Sequence, residues 1–203
     1  PLMLVARSFD INRPGAAPSG MCGGIIGGAL VRGRLSVGDE IEIRPGRKAE
    51  KEGKAVWNSL FSKILSIKTG GAEVKEAGPG GSIAIMTALD PSVVKSDQLT
   101  GSSVGKKGQL PPVWESLTLE THLLERVVGA REDVVVEPVK MGEPLMLNVN
   151  SAATVGIVNS ITKNQFSCRL KLPVCADEGS RVSISRRIGT RFRLIGYGII
   201  RGK

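Results

Sequence analysis

Aromatic side chains are scarce in this chain: they make up 3% of its 203 residues, against 41% for hydrophobic residues as a whole. Any core must therefore be filled by Val, Ile, Leu and Ala, and the hydrophobic share is that of a folded globular protein rather than a disordered tail. Cysteine and histidine are scarcer still. Cys22, Cys168 and Cys175 are odd in number and lack metal-ligand spacing, and His122 is the single histidine available to help them. A zinc site and a disulfide framework are both disfavoured, and a reducing compartment is the natural setting. No apolar run approaches the ~20 residues that a membrane span needs, and no basic-then-apolar leader opens the chain. These absences predict a cytoplasmic protein with no membrane partner. The sequence starts Pro1-Leu2-Met3 with a strand-like run already under way, which predicts a piece of a longer protein.

Signatures of catalysis are missing too. There is no G-x-x-x-x-G-K-[ST] loop to cradle phosphates, and the glycines from Gly23-Gly24 to Gly27-Gly28 have no Lys-Ser or Lys-Thr after them. No G-x-S-x-G elbow and no H-E-x-x-H helix occurs. A hydrolase triad would have to be built around His122, which falls on the polar side of an alternating segment. The carboxylate pairs Asp39/Glu40 and Glu132/Asp133 sit among turn residues and read as solvated loops. The expectation is a protein with no catalytic residues and no metal ligands.

What is present is β-structure. Gly numbers 26 and Pro 11, which suits many short strands joined by turns. Leu2–Ala6 is an apolar run, Ile25-Ile26 and Ala29–Val31 follow a Gly- and Pro-rich loop at 13–24, and Glu40–Arg44 alternates with period two. Ser36-Val37-Gly38-Asp39 supplies a turn, and Pro45-Gly46 is expected to end the strand before it. Arg47–Lys54 reads as a charged, strand-poor loop and Gly101–Gln109 as a polar connecting stretch, between which Leu60–Lys68 and Ser82–Leu89 read as strands. Past Pro111-Pro112 the same style resumes. Leu117, Leu119, Thr121 and Leu123 share one face of an alternating segment, and Leu145–Val149, Val155–Ile161, Ser167–Leu172, Arg181–Arg187 and Arg191–Ile200 follow. No 12-residue stretch carries a helical period. The reading is all-β, as two consecutive barrels over 1–110 and 111–203 with the boundary at the two prolines.

Net charge is +9, divided as +5 over 1–110 (15 basic, 10 acidic) and +4 over 111–203 (13 basic, 9 acidic). Arg181, Arg186, Arg187, Arg191, Arg193, Arg201 and Lys203 close the chain with no acidic residue among them. Such a run reads either as a contact for RNA phosphates, through counterion release, or as a solvated basic surface.

The stretch Gly24-Ile25-Ile26-Gly27-Gly28-Ala29-Leu30-Val31-Arg32-Gly33-Arg34-Leu35-Ser36-Val37-Gly38-Asp39-Glu40-Ile41-Glu42-Ile43 resembles the second-domain barrel of translational GTPases of the elongation factor Tu type. Narrower matches surround it: Arg7-Ser8-Phe9-Asp10-Ile11-Asn12-Arg13-Pro14-Gly15, Ala77–Gly81, Leu123–Gly129, Glu143–Val149 and Arg193–Gly198 are similar to the gamma subunits of archaeal and eukaryotic translation initiation factor 2. The likeness covers nearly the whole chain, as domains II and III. It implies a parent protein that binds GTP and magnesium in a preceding domain, so that this stretch holds no cofactor. It implies as partners initiator methionyl-tRNA, the small ribosomal subunit, an alpha subunit docked on the first barrel, and a beta subunit that touches only the preceding domain.

The resemblance places the aminoacyl end of the tRNA against Phe9, Arg13 and Lys68. Phe9 would offer an apolar face to the methionyl group or terminal base, and the cations would neutralise phosphate or orient the ester. Members of that family carry Lys at position 13 and Arg at position 68, which keeps both charges in a different geometry. On residue type alone, Phe9 reads equally as barrel core and the two cations as solvated surface. For the alpha subunit the candidate loops are Arg13–Cys22 and Lys68–Glu76, with Met21, Cys22, Thr69 and Gly70 as named contacts. Met21 and Cys22 could equally tuck into the barrel. Two other functions stand beside this one: a stand-alone RNA- or ribosome-binding module acting through Arg181, Arg186, Arg187, Arg191 and Arg193, and a small β-barrel hydrolase centred on His122.

Overall fold

The computed structural model describes residues 1–17, 20–129 and 134–202. Pro18 and Ser19 of the first loop, Glu132, Asp133 and the terminal Lys203 lie outside these residues. The chain divides into two compact units, Pro1–Leu110 and Pro111–Lys203.

The first unit runs β1 (Leu2–Phe9), β2 (Ile25–Arg32), β3 (Leu35–Ser36), β4 (Glu40–Lys51), β5 (Lys54–Thr69), β6 (Ala72–Val74), β7 (Glu76–Ala77), β8 (Ser82–Thr87), the one-turn helix α1 (Pro91–Val94) and β9 (Ser103–Lys106). Its sheet order is β4-β9-β1-β2-β8-β5-β6, and β5 pairs back onto β4 to close a six-stranded ring with β6 on its edge. Alternation puts Met3, Val5, Ile26, Leu30, Ile41, Ile43, Ile64, Ile67, Ile83, Ile85 and Val104 inside, an aliphatic core as the scarcity of aromatics requires. Closure also removes the free edges that Val- and Ile-rich strands would otherwise expose. The glycines of β2 permit tight pairing: a Cβ at Gly28 would collide with the Leu4 carbonyl across the ladder. The Val-Gly-Asp turn forms as read, with Gly38 at φ 93° and the Asp39 carboxylate accepting from the Ser36 N–H at 3.0 Å.

Two expectations fail here. Pro45-Gly46 does not end a strand, because β4 continues through it to Lys51. Between the Ile43–Leu60 and Arg47–Asn58 pairs, β4 spends two more residues than β5, so Pro45 sits in an irregularity where no ladder N–H is needed. The charged segment after it is the paired arm of that hairpin, with Lys48 opposite Trp57. Likewise Gly101–Gln109 is not a connector: it contains β9, which pairs with both β1 and β4, and Ser103 and Val104 of that strand are buried, as is Ser102 before it. A four-residue strand with one large apolar side chain is too short for alternation to show.

The second unit contains β10 (Val113–Leu123), β11 (Pro144–Val149), β12 (Ala152–Ile161), β13 (Gln165–Cys175), β14 (Arg181–Ile188) and β15 (Arg191–Arg201). They close as β10-β13-β12-β11-β14-β15, so the all-β, two-barrel expectation holds. Leu117, Leu119, Leu145, Leu147, Val158, Phe166, Cys168, Val182, Ile184 and Ile200 fill it. Leu123, read as part of the inward face, is exposed at the end of its strand. No helix among the described residues is long and apolar enough to cross a membrane.

Candidate functional site

On the outside of the first barrel, strand pairing builds a continuous surface from residues far apart in the chain. Arg7 stands opposite Gly27, Gly27 opposite Ala84, and Ala84 opposite Lys68. In the neighbouring row Phe9, Ile25, Met86 and Ser66 follow one another across the same four strands. At the usual spacing of about 4.8 Å between strands, Arg7 and Lys68 are roughly 14 Å apart at the backbone. Between them lie only a glycine and an alanine, so the two cations border a low floor beside an apolar row. Phe9 is 38% exposed on this outer face, which replaces the barrel-core alternative for it. Lys68 is exposed, and its side chain makes no hydrogen bond or ion pair among the described residues.

The direction of Arg7 is set by a turn that sequence reasoning missed. Ser96 and Asp97 both lie in the left-handed region, at φ 55° and 59°, a conformation that costs energy for residues with side chains. The Asp97 carboxylate accepts from the Ser8 N–H at 3.0 Å and from Arg7 Nε at 2.9 Å. Those two donors, the Ser8 N–H first, hold its carboxyl below the usual range. Ser8 Oγ in turn accepts from the Leu99 N–H at 3.0 Å, and Thr100 Oγ1 donates to the Ala6 carbonyl at 3.3 Å. The stitching falls where β1 slips register between Val5 and Arg7. Arg7 and Asp97 are 90 positions apart, and no local signal in the sequence links them.

Arg13 leaves the same end of this face. Asn12 Nδ2 donates to the Cys22 carbonyl and Asn12 Oδ1 accepts from the Cys22 N–H, both at 2.8 Å, closing the neck of the loop. Arg13 follows that clasp and is exposed, four residues beyond Phe9. Met21 and Cys22 are exposed as well, so neither tucks into the barrel. Thr69 and Gly70 stand at the other end of the β2–β8–β5 strands, where Thr69 Oγ1 donates to the Ser82 carbonyl at 3.2 Å and Gly70 makes the turn at φ 55°. The four named contacts therefore form two separate groups.

The arginine run of the second barrel does not form one patch. Arg186 is occupied: its guanidinium pairs in two-pronged fashion with Glu143 and donates to the carbonyls of Glu137 at 2.8 Å and Pro138 at 3.1 Å. The side chains of this pair are 16% and 14% exposed, which makes Arg186 a structural cation and corrects its reading as a phosphate contact. Arg181 lies 4.5 Å above the Tyr197 ring. Arg187 faces away from Arg186, opposite exposed Phe192, and its Nε donates to the Gly189 carbonyl at 3.3 Å. Arg191 and Arg193 occupy the β14–β15 tip on the side of Arg186. Among the described residues no three His, Cys, Asp or Glu side chains are grouped to hold a metal ion.

Comparison with known proteins decides the family. The family model described as "Initiation factor eIF2 gamma, C terminal" matches residues 115–200. The translation initiation factor 2 subunit gamma of Methanothermobacter thermautotrophicus is 58% identical over 199 residues, 98% of this chain and 49% of the relative. Those of Archaeoglobus fulgidus and Methanocaldococcus jannaschii are 56% and 50% identical over 99% and 100% of this chain, and 47% and 49% of theirs. The chain belongs to the translation initiation factor 2 gamma-subunit family. It spans about half the length of these relatives.

The fold has wider company than the gamma subunits. A bacterial selenocysteine-specific elongation factor, EF-Sec, superposes with a TM-score of 0.68 at 18% identity over 98% of this chain and 27% of its own. Elongation factor SelB of Methanococcus maripaludis gives 0.69 at 17% over 99% of this chain and 43% of its own. At such identities the likeness is one of fold.

Proposed function

We propose that this chain is the non-catalytic, double-barrel part of a gamma subunit and that the outer β1–β2–β8–β5 face helps to hold the aminoacyl end of initiator methionyl-tRNA. The observation that carries the reading is exposed Phe9 beside Arg7, with Lys68 three strand spacings away across a floor of glycine and alanine. A flat or slender group can settle on that floor: the terminal base or the methionyl side chain lies along Phe9, while the cations meet the terminal phosphate and ester. Arg13 adds a charge at the Phe9 end. The test is binding of methionyl initiator tRNA to the gamma subunit containing this chain. Phe9→Ala combined with Lys68→Ala is expected to weaken it about tenfold, the scale of one lost stacking contact with its phosphate partner. Unchanged affinity would reject the site.

Alpha-subunit docking belongs to the same proposal. Of the two loop groups, Met21–Cys22 offers the better anchor, because Met21 is 48% exposed and apolar whereas Thr69 is already bonded to Ser82. A pull-down of purified alpha subunit by the chain should succeed and be lost on Met21→Glu. Recovery by the variant would move docking elsewhere.

A further inference from the structure

The second barrel carries a surface that this reading does not use. Inward alternation of Phe166, Cys168, Leu117, Leu119, Gly198, Ile200, Val182 and Ile184 leaves the other side of β13, β10, β15 and β14 facing out. The outward rows are Arg169–Ser116, Ser167–Thr118–Arg201, Gln165–Glu120–Ile199 with Arg181, and His122–Tyr197–Ser183. Hydroxyls, an amide and guanidinium groups make up nearly all of it. Ile199 is its one aliphatic residue and is half-buried, and Glu120 is its one acid. That acid is already neutralised, since Arg201 Nε and Nη2 donate to it at 2.8 and 2.6 Å.

Upon this polar sheet stands a column of rings. His122 and Tyr197, the chain's only histidine and only tyrosine, stack with centroids 4.8 Å apart and planes 17° from parallel. Arg181 covers Tyr197 at 4.5 Å, and the His122 side chain remains 46% exposed beside Glu120 Oε1, 3.6 Å from its Nε2. Such a column costs two half-exposed rings in a protein that has few, and the β10–β15 pairing would form with any β-former in their place.

We propose that this face binds a short single-stranded RNA segment. One base extends the Arg181–Tyr197–His122 column, the sheet hydroxyls meet ribose 2′-OH groups, and Arg181 and Arg169 meet phosphates. Two features select this partner. Three guanidinium groups, those of Arg169, Arg181 and Arg201, stand on this face against one acid, an excess of positive charge that suits a polyanion. A duplex hides its bases within the stack, whereas a flat strand face with outward rings reads bases that are splayed out.

The probe is a fluorescent oligoadenylate of about eight nucleotides, within the usual site size of a small β-barrel, titrated with the full chain and followed by anisotropy. Replacing both His122 and Tyr197 by Ala should weaken binding about tenfold, as loss of base stacking predicts, while Tyr197→Phe keeps affinity within twofold. Arg181→Gln should flatten the slope of log affinity against log salt by about 0.7, one phosphate contact. A duplex of the same length should bind the double variant and the unaltered chain alike. Oligoadenylate binding that survives loss of both rings would overturn the proposal. Should the double variant fail to fold, photocrosslinking of 5-iodouridine RNA to the unaltered chain decides the matter: adducts at His122 or Tyr197 support the site, and adducts confined to other peptides reject it.

Discussion

In the first barrel, Arg7 stands at the surface with its side chain 68% exposed, braced by Asp97 at 2.9 Å. In the second barrel, Arg186 has the same chemistry and only 16% exposure, folded under the 137–143 segment and fully engaged by Glu143 and two carbonyls. One arginine is held out to solvent and the other holds its own chain together. A count of basic residues along the sequence ranks the second region above the first, because the closing arginines are denser. The surroundings reverse that order.

Removing one partner of the inner pair is the largest blow this comparison predicts. Glu143→Ala leaves the Arg186 guanidinium with a charge that water scarcely reaches, and should lower unfolding stability by about 3 kcal/mol in urea titration. A loss no larger than that of an exposed pair would erase the contrast.

The first barrel has its own inner pair, and it sharpens the comparison through pH. Glu42 is buried, and burial alone would raise its carboxyl; the Gly108 N–H, Arg44 and Ser59 outweigh this and hold it below its ordinary 4.5. A carboxyl lowered by folding contributes stability that is complete above that ordinary value and fades as the pH falls through the folded one. Glu42→Gln should therefore cost about 2 kcal/mol at pH 7 and flatten the loss of stability seen in acid. An unaltered acid limb would refute the assignment.

Asp97→Asn keeps an oxygen for the Ser8 N–H but loses the exposed ion pair with Arg7, so it is expected to lower the urea midpoint only slightly while weakening methionyl-tRNA binding by the parent subunit. A drop in stability of the Glu143→Ala class would show the two arginines to be alike after all.

The smallest expected effect involves no stability change. Cys22 is exposed, whereas Cys168 is enclosed and its thiol is pushed up to about 11 by burial. At pH 8 a thiol reagent should therefore modify Cys22 promptly and reach Cys168 and Cys175 only on unfolding. Rapid labelling of Cys168 would show that the second barrel opens more readily than its packing implies.

Period-two alternation and turn residues, both properties of neighbouring positions, determined that the chain is all-β, that Leu117 and Leu119 face inward, and where Ser36–Asp39 turns. Phe9, Arg13 and Lys68 came from the resemblance of whole segments, and the structure adds that all three are exposed. Tertiary structure alone decided the rest. It made Gly101–Gln109 a central strand and carried β4 through Pro45, because ladder bonds from β1 and β5 stabilise backbone whose own side chains give little preference. It joined Arg7 to Asp97, removed Arg186 from the surface, and set His122 beside Tyr197. Each of those contacts depends on which strand becomes a neighbour when a ring of six closes, and that choice is made by the whole barrel rather than by any stretch of sequence.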